Sequence, residues 1–163
     1  MKQEYLQRIF DANKALDDEF YSLYKDENIV DCNKIELMAE LMELANSSRV
    51  FKYREKIPMD YEETLYEYVD WLVMLFFFFH INNEKIDVID VNRDIDVIDL
   101  ILNLIDDYNR FINHDEKILN EILSKYILLW EKLWFDEEDI LRAALDKIEK
   151  TKVYLEWKKD ENK

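Results

Sequence analysis

Residues 61–81 read YEETLYEYVDWLVMLFFFFHI, and this stretch decides the fold class. Two acidic residues, Glu62 and Glu63, stand in its first turn, where the helix dipole favours negative charge. The four phenylalanines at 76–79 project to every side of a helix, so this end must be enclosed. We expect either the core of the chain or a second subunit to cover it.

The rest of the chain carries the same helical periodicity with very little turn punctuation. Its 163 residues include no glycine and one proline, a composition that argues against an all-β fold. We therefore predict an all-α bundle of about six helices in one domain spanning residues 1–163. Asp31 or Asn33 is expected to cap the second helix. The predicted helices cover about 2–25, 35–51, 61–81, 94–112, 116–134 and 136–157.

The composition also excludes several kinds of functional site. Walker A loops, Rossmann fingerprints and nucleophile elbows all need glycine, because the backbone turns sharply or approaches phosphate there. The formal net charge of −16 argues against a nucleic-acid partner. Most of this charge is expected on a solvated surface, although divalent cations could also be concentrated by part of it.

Several features predict a protein of the cytoplasm. The N-terminal sequence MKQEYLQRIFDANK contains no apolar segment, so we expect no signal peptide. The longest apolar run, residues 71–79, is about half of the roughly 20 residues that a membrane helix needs. The single cysteine, Cys32, cannot form an intramolecular disulfide and fits a reducing compartment.

Two pairs of acidic residues have a spacing that points to chemistry. Glu40 and Glu43 form E-x-x-E on the second predicted helix, and Glu67 and Asp70 form E-x-x-D on the third. Residues three apart lie on one face of a helix, so each helix presents two carboxylates side by side. If the two helices pack antiparallel, four carboxylates converge between them. Mg²⁺ or Mn²⁺ would relieve their repulsion, because both ions prefer carboxylate oxygens.

Acidic pairs with this spacing also occur on solvated helix faces, and in so acidic a chain the spacing alone is weak evidence. The flanking sequences LMAELMELA and LYEYVDWLVML are strongly apolar, however, and acidic residues are rarely buried without a partner. A basic segment between the two pairs contains Arg49, Lys52 and Arg54. Cations beside a carboxylate–metal cluster suit a polyphosphate substrate.

These motifs resemble the all-α nucleoside triphosphate pyrophosphohydrolases, which include MazG-like enzymes, and within them the dimeric dUTPases. The segment ELMAELMELANSSRVFKY is similar to the first metal helix of that family and its basic extension, and LYEYVDWL is similar to the second metal helix. FDANKALD resembles the opening helix, and FDEEDILRAALDKIEK resembles the closing helix. The resemblance is specific over residues 10–17 and 35–72.

The resemblance implies an activity and a set of site residues. It implies a Mg²⁺-dependent hydrolase, with Mn²⁺ as a possible substitute, that converts dUTP to dUMP and pyrophosphate by a metal-activated water. The implied partner is a nucleoside triphosphate, and the implied assembly is a homodimer. The metal ligands would be Glu40, Glu43, Glu67 and Asp70, and Glu43 would orient the attacking water. Substrate contacts would come from Asn13, which occupies the place of the uracil-reading amide, and from Arg49, Lys52, Arg54 and Lys147.

The closing helix departs from the family pattern, which leaves two alternatives open. A tyrosine and two asparagines of the family are replaced by Ala144, Ile148 and Thr151. One alternative is a MazG-like house-cleaning hydrolase of another nucleoside triphosphate. The other is a catalytically weak helical interaction protein that has kept the acidic residues.

Overall fold

The computed structural model describes residues 1–24, 28–52, 57–113 and 118–161. For residue 161 it describes the backbone only. The described residues contain no strand, and this confirms the all-α prediction. Their helices are α1 (Gln3–Leu23), α2 (Ile29–Ser47), α3 (Tyr61–Ile81), α4 (Val97–Ile112), α5 (Leu119–Leu133) and α6 (Glu137–Glu161).

Two helices begin at places that differ from the prediction. α2 begins at Ile29, so Asp31 and Asn33 lie inside the helix and the predicted cap at either residue was wrong. Asn33 is instead buried. α4 begins at Val97 rather than near residue 94, because the carboxylate of Asp96 accepts a hydrogen bond from the backbone N–H of Asp99 and caps the helix there.

Helix α2 also ends earlier than predicted, at Ser47 rather than near residue 51. Arg49 follows with a φ of 58°, in the left-handed region that usually takes glycine. The other described residues with positive φ are Asn83 and Trp134, which come just after α3 and α5. In this glycine-free chain, α2, α3 and α5 are therefore followed by residues that bear some backbone strain.

Helix α3 is the centre of the bundle, because it contacts α1, α2, α5 and α6. All four phenylalanines at 76–79 are at most 2% exposed within this one chain. The chain's own core therefore encloses them, as one of the two alternatives predicted, and their burial does not require a second subunit. By length and composition α3 could also cross a membrane, but 61% of its most apolar window is buried inside the bundle, as is common in core helices.

Contacts along α3 hold it in one orientation. At its start, Asp60 accepts a hydrogen bond from the backbone N–H of Glu63. In its middle, the hydroxyl groups of Tyr68 and Tyr126 each donate to the backbone carbonyl of the other residue, at 3.2 and 2.7 Å. The rings of this pair stack with centroids 4.3 Å apart. One side of α3 is therefore anchored on α5, which leaves the acidic pair of α3 to face elsewhere.

Candidate active site

Helices α2 and α3 bring three carboxylates together. Glu40 from α2 and Glu67 and Asp70 from α3 each offer an oxygen, and these oxygens lie within 4.8 Å of one another. We call these residues the acidic cluster. Helices α2 and α3 pack directly against each other. This close packing is why the two acidic pairs, separated by more than twenty residues, meet.

The pKa values show how unfavourable this arrangement is for bare carboxylates. The pKa of Glu40 is raised to about 7, first by burial and then by the negative charges of Asp70 and Glu43. The pKa of Glu67 is raised as well, first by burial and then by Glu43 and Asp70. Lys147 opposes the shift at Glu40. This one ammonium group does not outweigh burial and the charges of the neighbouring acids.

Two oxygens of the acidic cluster lack any hydrogen bond. Oε2 of Glu40 and Oδ1 of Asp70 are buried, and neither has a partner within the described part of the chain. A buried acceptor without a donor is costly. A hard divalent cation satisfies several carboxylate oxygens at once. The donor set of the acidic cluster therefore fits Mg²⁺ or Mn²⁺.

Glu43 lies beside the acidic cluster but outside the group of converging oxygens. Its side chain is exposed, and its charge raises the pKa of both Glu40 and Glu67. From the sequence, Glu43 is predicted to be a metal ligand like the other three acids. The structure instead puts it at the solvent edge, where its side chain is hydrogen-bonded to that of Glu67.

Lys147, from α6, lies directly on the acidic cluster. Its Nζ is 2.6 Å from Oδ2 of Asp70, and 38% of its side chain is exposed. The sequence predicts Lys147 as a substrate contact. In the structure its ammonium group already neutralises one of the clustered acids, from the side that faces an adjoining cavity.

The adjoining cavity is open and has a volume of about 160 Å³. Two members of the acidic cluster, Glu40 and Asp70, lie at its wall together with Lys147. A cavity of roughly 150 Å³ is large enough for benzene, so a single six-membered ring fits here. The other lining residues are apolar and polar in equal number: the apolar ones are Leu16, Phe20, Val73, Met74 and Phe77, and the polar ones are Asn13, Asp17, Asn33, Glu36 and Thr151.

Asn13 reaches the cavity from α1, as the sequence predicts for a substrate contact. Only 1% of the residue is exposed. Its Nδ2 donates to Oδ2 of Asp17 at 2.9 Å and to the backbone carbonyl of Val73 at 3.2 Å. Its Oδ1 is buried and has no partner among the described residues. The amide is thus held in place with an acceptor still to be satisfied.

Sequence reasoning missed Asp17, which shares the cavity with Asn13. Its pKa is raised to about 8, first by burial and then by the charge of Asp18. A signal was present in the sequence, because Asp17 lies four residues after Asn13 and therefore on the same face of α1. Its burial could not be anticipated, since it depends on α3 and α6 packing against α1.

The predicted basic residues after α2 are less closely associated with the site. Arg49 and Lys52 are partly buried and neither lines the cavity. The Nζ of Lys52 lies 5.9 Å from the ring centroid of Phe51. Arg54, the third predicted substrate contact in this segment, lies outside the described residues.

Comparison with known proteins agrees with the geometry of the site. No curated protein and no solved structure gives a significant match to the chain. A family model described as dUTPase matches residues 5–153, a range that includes the acidic cluster, the cavity and Lys147. This match covers nearly the whole of an all-helical chain. The chain therefore belongs to the dUTPase family and is a dUTP diphosphatase-like nucleotide pyrophosphohydrolase.

Proposed function

We propose that this protein hydrolyses dUTP to dUMP and pyrophosphate and depends on Mg²⁺, for which Mn²⁺ can substitute. The observation that carries the proposal is the position of the acidic cluster at the wall of a cavity that fits one six-membered ring. A nucleotide in this place would put its base among apolar side chains and its phosphates beside the carboxylates. Family membership supports the same reaction class.

The metal would be held by Glu40, Glu67 and Asp70, with Glu43 as a further ligand. The buried oxygens of Glu40 and Asp70 that find no hydrogen-bond partner among the described residues support this assignment. Bound Mg²⁺ would supply charge for the triphosphate and activation of a water molecule. Glu43, at the solvent edge of the cluster, is suited to orient that water for attack at the linkage between the α and β phosphates.

The remaining contacts would bind and orient the substrate. Lys147 is placed to move from Asp70 to a phosphate oxygen, because both lie at the cavity wall. Arg49, Lys52 and Arg54 would neutralise phosphate charge from the segment after α2. Asn13 would accept a hydrogen bond from the imide N–H of uracil through its free Oδ1.

The proposal can be tested with a panel of nucleotides. Release of pyrophosphate would be measured with dUTP, dCTP, dTTP, dATP and dGTP in the presence of Mg²⁺ or Mn²⁺. We expect dUTP to be the best substrate, and Glu67→Gln to abolish turnover. Glu62→Gln is a matched control, because Glu62 is an exposed acid on the same helix. Hydrolysis of none of the nucleotides with either ion would refute the proposal.

The panel also tests the two other functions that the sequence left open. Preference for a different nucleotide, a purine above all, would support a MazG-like house-cleaning hydrolase. Binding of metal without any turnover would support a helical interaction protein. The volume of the cavity, close to that needed for a single six-membered ring, supports a pyrimidine as the base of the substrate.

We further propose that the chain is a single domain that acts as a homodimer in the cytoplasm, with neither nucleic acid nor a membrane as a partner. One hydrophobic cluster includes residues from all six described helices, which supports a single domain. Exposed apolar side chains on α2 and α4, two helices in contact, support a dimer: Ile35, Met42, Ile98 and Leu102. Sedimentation of a stable monomer at micromolar concentration would contradict the dimer.

A further inference from the structure

Asp17 is a buried acid that forms no ion pair with any cation among the described residues. Only 8% of the residue is exposed, although it lines the cavity. Within the described part of the chain its one hydrogen-bond donor is Asn13, whose Nδ2 lies 2.9 Å from Oδ2. An ionised carboxylate without a cation is strongly disfavoured in such a place. The structure therefore favours the neutral acid, which carries a hydroxyl donor.

The neighbouring amide of Asn13 cannot supply that donor itself. Its two N–H groups are directed to Asp17 and to the carbonyl of Val73. The amide can therefore offer only its acceptor, Oδ1, to a ligand in the cavity. A ligand that has both an N–H and a carbonyl oxygen on one edge needs a second protein group that donates.

We propose that Asp17 is a specificity-determining residue of the nucleotide site: as the neutral acid, it donates a hydrogen bond to a carbonyl oxygen of the pyrimidine ring. Asn13 Oδ1 accepts the adjacent N–H in the same complex. This inference rests on the proposed function, since it names the group that reads the base of that substrate. Uracil has a carbonyl on each side of its imide N–H, so one donor and one acceptor match its edge.

Ionisation of Asp17 would remove this match. The carboxylate has no donor, so it would face the carbonyl oxygen with negative charge. The pKa of Asp17, about 8, places this change just above neutral pH. Other titratable groups face the same cavity or adjoin Asp17, and a test must separate them: Asp18, Glu36, Glu40, Asp70, His80 and Lys147.

The experiment measures binding of dUMP to the full chain by calorimetry, without metal, from about pH 6.5 to about pH 9. Wild type, Asp17→Asn and Asp17→Ala would be compared. The asparagine keeps a neutral N–H donor at every pH, whereas the alanine has none. Asp11→Asn is the matched control, because Asp11 is an exposed acid on the same helix. Ionisation of the ligand and of the other cavity groups affects all four proteins alike, so it cancels in their ratios.

Wild-type affinity for dUMP should fall about tenfold per pH unit above about 8. Relative to Asp17→Asn, the wild type should lose affinity over this range, while Asp11→Asn follows the wild type. Asp17→Ala should bind at least about tenfold more weakly near pH 7, and Asp17→Asn should recover most of that loss. Circular dichroism would verify that each variant is folded.

Two results would overturn the inference. One is a constant ratio of wild-type to Asp17→Asn affinity across the pH range. The other is equal binding by Asp17→Ala and wild type. If wild type hydrolyses dUTP while either result holds, the proposed function survives and only the role of Asp17 is lost. If wild type neither binds dUMP nor hydrolyses any nucleotide at any pH, the proposed function fails and this inference fails with it.

Discussion

Replacing Glu40 by glutamine should stabilise the metal-free protein and remove its response to Mg²⁺. Glu40 is the member of the acidic cluster whose pKa is raised to about 7. Glutamine has nearly the same shape but no charge. The substitution therefore removes electrostatic repulsion and, at the same time, a ligand of the proposed metal.

The size of the effect follows from the pKa. A rise from 4.5 to about 7 corresponds to about 3 kcal/mol at 1.36 kcal/mol per unit. Because Glu40 is only partly buried, solvent screening reduces this to about 1 to 2 kcal/mol. For a chain of this size we expect Glu40→Gln to raise the metal-free Tm by about 3 to 6 °C near pH 8.

The pH dependence has a definite sign. In the folded state Glu40 keeps its proton up to about pH 7, whereas in the unfolded state it loses the proton near 4.5. Between these values the folded state binds more protons, so the free energy of unfolding of the wild type falls as pH rises. The advantage of Glu40→Gln should therefore grow from about pH 5 to about pH 7 and then level off.

The assay is thermal unfolding followed by circular dichroism, at several pH values, with and without Mg²⁺. Wild type should gain about 2.7 kcal/mol when Mg²⁺ is present at roughly one hundred times its Kd, and Glu40→Gln should gain much less. Glu156→Gln, on an exposed part of α6, should stay within about 0.5 kcal/mol of wild type under all conditions. A metal-free Glu40→Gln protein less stable than wild type at pH 8, or one that responds fully to Mg²⁺, would refute the reasoning.

Three further variants probe other parts of the structure. Lys147→Met removes the ammonium group that lies 2.6 Å from Asp70 and competes with Mg²⁺ for this carboxylate. Mg²⁺ should then give half-maximal thermal stabilisation at a lower concentration, while kcat/KM for dUTP falls at least about tenfold. An unchanged kcat/KM would deny Lys147 a substrate role. Lys125→Met leaves the buried Asp107, 2.5 Å away, without its closest cation and should cost about 3 kcal/mol in urea unfolding, whereas the double variant with Asp107→Leu should recover most of that loss. Trp134→Gly relieves the strain of a left-handed backbone conformation at a residue whose side chain is 87% exposed. We expect a rise in Tm equivalent to about 0.5 to 1 kcal/mol. A fall in Tm would show that the packing of the indole stabilises the protein by more than the backbone strain destabilises it.

Local features of the sequence were enough to predict the fold class. A segment with helical periodicity and without glycine or proline is predicted to be a helix. This prediction needs no tertiary structure, because periodicity and backbone preference are properties of neighbouring residues. Positions of helix ends were harder to predict. α2 begins at Ile29 and ends at Ser47, and neither residue stands out in the sequence, since several nearby residues could cap or end a helix equally well.

Much of the candidate site could also be anticipated. Spacing placed Glu40 and Glu43 on one helix and Glu67 and Asp70 on another, and their apolar flanks suggested partial burial. The structure gives these four acids different degrees of exposure. Three converge within 4.8 Å, while Glu43 remains at the solvent edge. This difference depends on how α2 is rotated against α3, which spacing within one helix does not determine.

The sequence by itself determined the helical class, the family resemblance and which acids share a helix face, because these are properties of neighbouring residues. Only the tertiary structure decided what each face meets. It enclosed residues 76–79 within one chain, placed Lys147 on Asp70, and buried Asp17 beside Asn13 at a ring-sized cavity. The physical reason is that burial, and with it the pKa of an acid, depends on the helices packed against it.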